Sequence, residues 1–165
     1  MKRVDVQAFA FVVMILAGCS STGLAEQLAP KVEPLGQERV GELFERINRR
    51  ETIEIELLCQ ALTGPQTTLR AYVATLLGES GDARAIPFLI DALADESMHV
   101  GANYVDPGDA TTRHRASKSL KTLTGQDFGF VWSDPKAQRD AAIQRWIAWY
   151  RTHVERDGPA NAAAP

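Results

Sequence analysis

From Val40 to Val154 the apolar residues of this chain return every three or four positions, and that spacing restricts the fold more than any other feature. Side chains at i, i+3, i+4 and i+7 share one face of a helix, whereas the faces of a strand alternate. Val40, Leu43, Phe44 and Ile47 form a first stripe, and Ile53, Leu57, Ala61 and Leu62 a second. Ile53 to Leu57 also alternates as a strand does, but the pattern runs on past a strand's usual length. Leu69, Tyr72, Val73, Leu76 and Leu77 make the cleanest stripe, followed by Ile86, Leu89, Ile90 and Leu93. Ala116, Leu120 and Leu123 form a fifth, and Ile143, Trp146, Ile147, Tyr150 and Val154 the last. The expected fold class is all-α.

Punctuation between the stripes agrees. Gly78 is placed to supply a left-handed residue after the third helix, and Asp82 to cap the next, with Pro87 in its first turn. Ala94 to Ala110 holds two glycines, a proline and four acidic residues and reads as a long loop. Thr111 or Thr112 can cap the fifth helix and Gly125 stops it; Gln126 to Pro135 is a second loop, and the last helix runs from about Lys136 to Arg156. The folded body is expected over 37–156, long enough to bury a core without staples. With 45% apolar and 24% charged residues, and 12 Gly and 8 Pro in 165, collagen-like, mucin-like and disordered classes are excluded. A formal charge of −3, with no basic run interleaved with aromatics, argues against a nucleic-acid partner.

The N-terminus carries an address. Lys2 and Arg3 precede an uncharged apolar stretch from Ala8 to Gly18, shorter than the roughly 20 residues a spanning helix needs. It ends in Leu16-Ala17-Gly18-Cys19, followed by Ser20 and Ser21. That tetrapeptide resembles the lipobox of bacterial lipoproteins. The resemblance implies a signal peptide over 1–18, cleavage before Cys19 and acylation of Cys19, with attachment to the membrane through that lipid. Ser20 after the cysteine implies the outer membrane, facing the periplasm. The mature chain would hold 16 basic and 20 acidic side chains, so anionic headgroups give it no electrostatic attraction and acyl chains must hold it. With Cys19 acylated, Cys59 is the remaining thiol and is expected to act as a small buried hydrophobe. Residues 19–36, with Pro30 and Pro34, read as a flexible tether, and 157–165 as a disordered tail.

The helices repeat. Ile55, Leu58 and Ala61-Leu62 align with Ile86, Leu89 and Ala92-Leu93, and the segment from Arg70 aligns with that from Arg113, placing Val73 on Ala116 and Leu77 on Leu120. Arg70-Ala71-Tyr72-Val73-Ala74-Thr75-Leu76-Leu77-Gly78 and Gly81-Asp82-Ala83-Arg84-Ala85-Ile86-Pro87-Phe88-Leu89-Ile90-Asp91-Ala92-Leu93 resemble the two helices and turn of a HEAT-like repeat of the phycobilisome-lyase type. The resemblance implies a short right-handed α-solenoid of HEAT-like helix pairs with capping helices at both ends, its second helices lining a concave face. Stacking is physically required, because one amphipathic pair cannot bury its own stripe.

Chemistry is sparsely written. His99, His114 and His153 stand apart from other ligand-type residues and are expected at the surface, and no metal-binding or phosphate-cradling motif occurs. Neither a cofactor nor a metal is expected, and no catalytic residues are assigned. Asp95, Glu96, Asp106 and Asp109, with Asp127 and Asp134, supply hard oxygen donors without EF-hand spacing, and Asp109 is placed to cap. Phe128, Phe130 and Trp132 lie in the second loop and Trp146, Trp149 and Tyr150 on the last helix, and they read more as packing than as a ligand platform. Phe88, Asp91 and Asp95 follow one another at near-helical spacing, with Glu56 and Gln60 on the neighbouring helix, as candidates for a partner-binding groove. The sequence therefore points to a non-enzymatic, lipid-anchored protein of the bacterial cell envelope that offers a helical-repeat surface to a protein partner. The alternatives are an accessory or lyase-like enzyme of the HEAT-repeat family, and a metal-binding lid formed by the 94–110 loop.

Overall fold

Six α-helices form among the described residues: α1 Gln37–Asn48, α2 Ile55–Leu62, α3 Thr67–Glu79, α4 Ile86–Ala92, α5 Thr112–Thr124 and α6 Lys136–Asp157. The computed structural model describes residues 28–98 and 107–157; the signal segment, Cys19, the tether up to Gln27, His99, Asp106 and the tail from Gly158 lie outside them. Short 3-10 turns at Ala83–Ala85 and Pro107–Ala110 lead into α4 and α5, and the only β-type pairing among the described residues is one antiparallel bridge between Met98 and Thr111. No described helix is long and apolar enough to cross a membrane. The all-α expectation holds.

Several helix ends follow the local rules. The Asp82 carboxylate accepts the Arg84 N–H at 2.9 Å. Pro87 sits in the first turn of α4. The Thr111 hydroxyl accepts the His114 N–H at 3.3 Å, and Gly125 ends α5 at φ 66°. Asp109, by contrast, does not cap: its carboxylate pairs with Lys118 at 3.0 Å, and its carbonyl accepts from Arg115.

The third stripe differs from expectation in a way that explains the packing. Leu69, Val73 and Leu77 are buried, but Tyr72 is 43% exposed and Leu76 only half-buried. Ala71, Ala74 and Gly78 take the inner face instead. Gly78 lies inside α3 and is not its left-handed terminus; Gly81, at φ 69°, takes that conformation. What Gly78 provides is closeness, since a Cβ there would lie 2.8 Å from the Ser119 Cα. The Ser119 hydroxyl donates to the Ala74 carbonyl at 2.7 Å across the same gap. Small residues thus let α3 and α5 make the most extensive helix contact among the described residues.

The second stripe also shifts. α2 starts at Ile55 and buries Ile55, Leu58, Cys59, Ala61 and Leu62, leaving Ile53 before the helix and Leu57 at the edge of the core. α2 contacts α3 and α4, and α4 contacts α5 and α6. α6 contributes Ala142, Ile143, Trp146 and Ile147 to the core. The end of the expected tether is part of the folded body: Leu35 is 4% exposed, and Leu28, Ala29 and Val32 pack against the core.

Candidate functional site

The chain leaving α4 forms a knot of charge. Asp95, Glu96 and Ser97 meet three arginines, one each from α3, α5 and α6. Arg70 donates through Nε to Asp95 at 2.8 Å, through Nη1 to the Gly64 carbonyl at 2.7 Å and through Nη2 to the Ser97 hydroxyl at 2.7 Å. Arg113 donates to the Asp95 carbonyl and to Glu96, each at 3.1 Å, and to the Trp132 carbonyl at 2.9 Å. Arg139 pairs with the other oxygen of Glu96 and donates to the Asp134 carbonyl. Burial acts to raise the Asp95 carboxyl, but hydrogen bonds from Arg70 and Ser97 outweigh it and hold it below the usual carboxylate range. Burial lowers Arg113, against the pull of Glu96. Arg70 and Arg113 are the aligned arginines of the repeat, so two equivalent positions grip the same turn.

Beside this knot lies a cavity of about 750 Å³. Phe88, Asp91 and Asp95, three of the five expected groove residues, line it together with Leu62, Thr63 and Arg70. Phe88 is 7% exposed, so it offers an edge to the cavity and commits the rest of its ring to the core. Asp91 is half-buried. The far wall is the extended segment from Ala29 to Pro34. Glu56 and Gln60 are not brought into this lining. Glu56 is solvent-facing and pairs with Arg84, and Gln60 is half-buried on α2, its carbonyl accepting from Thr63 at 3.0 Å.

The remaining candidates are placed as follows. Cys59 is buried and its thiol is pushed up to about 12, chiefly by burial and then by the Asp82 and Glu56 carboxylates. His153 is exposed, but His114 is half-buried against Trp132, with ring centroids 6.0 Å apart and Nε2 at 3.7 Å from Asp109; the expected surface position fails there. Phe128 meets Trp146 edge to face at 4.7 Å, and Trp149 packs on both, so the aromatic cluster is packing. Asp127 is held by Lys121 at 2.8 Å. No group of three or more His, Cys, Asp or Glu among the described residues is arranged to hold a metal.

Sequence reasoning missed the arginine knot and the segment that walls the cavity. The first was findable, since Arg70 and Arg113 are equivalent in the repeat. The second was masked by two prolines, which read as linker.

Comparison with known families matches one model, described as PBS lyase HEAT-like repeat, to residues 69–95. Those residues comprise most of α3, the turn carrying Asp82, all of α4 and the chain as far as Asp95. The chain matches no curated protein and no solved structure.

Proposed function

We propose that this chain is a lipid-anchored protein of the bacterial envelope that uses a helical-repeat surface as a scaffold for another protein. Cleavage before Cys19 and acylation there fix the body to a membrane, the outer one facing the periplasm. The body is then a short right-handed α-solenoid, with α3–α4 as its central repeat and α1 and α6 as end caps. The HEAT-like match over 69–95 supports the repeat, and the Leu16–Cys19 tetrapeptide supports the anchor.

One observation carries the binding role: Phe88, Asp91 and Asp95, all within the matched residues 69–95, border a cavity of about 750 Å³ with a mixed apolar and charged lining. Such clefts suit recognition, where apolar walls supply affinity and a few polar groups supply orientation.

The test is photocrosslinking in cells from Thr63, exposed at the cavity, with a matched crosslinker at exposed Thr122 as the control. The expected result is one discrete adduct with an envelope protein from position 63, lost in Asp91→Ala. The same adduct pattern from both positions, or none, overturns the scaffold reading.

A further inference from the structure

Tyr72 departs from the buried stripe of α3 and is 43% exposed. It lines a second cavity, of about 390 Å³, that shares no lining residue with the first. Phe44 and Ile47 of α1 and Ala71 of α3 complete an apolar surface there, with Asn48 and Thr68 beside it. Arg50 and Arg115 also line the space, and no aspartate or glutamate is among the described lining residues. Arg115 is held in place by its bonds to the Asp109 carbonyl at 2.7 Å and the Thr75 hydroxyl at 3.2 Å. The Asp109 carboxylate itself is taken up by Lys118.

Arg50 stands out further. Its backbone is left-handed at φ 54°, a conformation that strains a residue with a Cβ and costs glycine nothing. Its neighbours Arg46 and Arg49 share Glu51, at 3.4 and 2.6 Å. The Arg50 guanidinium, by contrast, makes no hydrogen bond or ion pair with any described residue. Stability alone favours glycine at this position, and no contact of the side chain offsets the strain. Strain of this kind collects at binding sites, where a particular side chain is needed.

We propose that this cavity binds a small organic acid whose apolar body carries a carboxylate. The body lies against Phe44, Ile47 and Tyr72, and the carboxylate is met by Arg50 and Arg115. A guanidinium presents paired N–H donors that match the two oxygens of a carboxylate. Two cations on apolar ground, with no acid beside them, select an anion that also has apolar surface to bury. The volume lies near the lower end of small-molecule sites, which sets the size class. The proposal does not rest on the scaffold reading.

The test is a titration of the full chain with hydrocinnamate, followed by the methyl NMR signals of Ile47 and Ala71, with the neutral amide of the same acid as control. The acid is expected to shift both signals to saturation, and the amide to bind roughly tenfold more weakly or worse. Arg50→Gly should weaken the acid by a similar factor while the melting temperature stays level or rises, so the loss is not one of folding. Tyr72→Ala should weaken acid and amide by the same factor, because it removes apolar surface and no charge. Equal affinity for acid and amide overturns the proposal, as does an unchanged affinity in Arg50→Gly. Shifts with a peptide ending in a phenylalanine carboxylate, but none with hydrocinnamate, overturn it in favour of a protein partner's chain end.

Discussion

At the scale of single residues, burial and pairing set two titrations of opposite sign. Cys59 has its thiol raised to about 12. In a Cys19→Ser chain, where Cys59 is the single thiol, native protein should react with a disulfide reagent at pH 8 roughly a thousandfold more slowly than denatured protein. A thiol raised on folding contributes stability that is fully present below its unfolded value and is lost as pH climbs toward the folded one, so stability should decline from about pH 9 upward. Asp95 is the reverse case. Its depressed carboxyl contributes above its ordinary range near pH 4 and loses that contribution as acid protonates it. Asp95→Ala should cost roughly 3 kcal/mol at pH 7, because it leaves Arg70 without its carboxylate in a mostly buried site. Denaturant melts at successively lower pH should show that penalty shrinking; a penalty constant from pH 7 to 2 would contradict the pairing.

At the scale of elements, two exchanges of opposite kind probe the helix ends and faces. Gly78→Ala gains helix propensity of about 1 kcal/mol. It also drives a Cβ to 2.8 Å from the Ser119 Cα, where no rotamer change can relieve the contact. The overpacking should win, with a net loss of roughly 1–3 kcal/mol in chemical denaturation. Arg50→Gly should do the opposite. α1 ends with the Glu51 N–H bonded to the Arg46 carbonyl and the Arg50 N–H to the Ile47 carbonyl, a cap that places Arg50 at φ 54°. Glycine carries no Cβ penalty there, so stability should rise by about 0.5–1 kcal/mol. Such local chemistry was legible in the chain: the caps at Asp82 and Thr111, Pro87 in a first turn and Gly125 as a stop are decided by neighbours a few positions away. The role of Gly78 was not, because it depends on Ser119 in a helix that only the fold brings near. Likewise the spacing of Phe88, Asp91 and Asp95 gave away one face of the candidate site. Glu56 and Gln60 went astray because their orientation depends on how α2 packs, with Ile55 and Leu58 inward.

At the scale of the whole molecule, the proposed anchor at Cys19 is the simplest part of the arrangement to test. Cys19→Ala should move the protein from the membrane fraction to the soluble one; persistence with membranes after a carbonate wash would contradict anchorage by acyl chains. Under the proposed anchorage, the packing of residues 28–35 against the body limits how far it can stand from the membrane. With Cys19 held at a membrane as proposed and Leu28 packed against the core, eight residues, Ser20 to Gln27, separate the two, a reach of at most about 28 Å. The proposed anchor would therefore keep the near edge of the body within about 28 Å of its membrane, so any partner must meet it inside that thin layer.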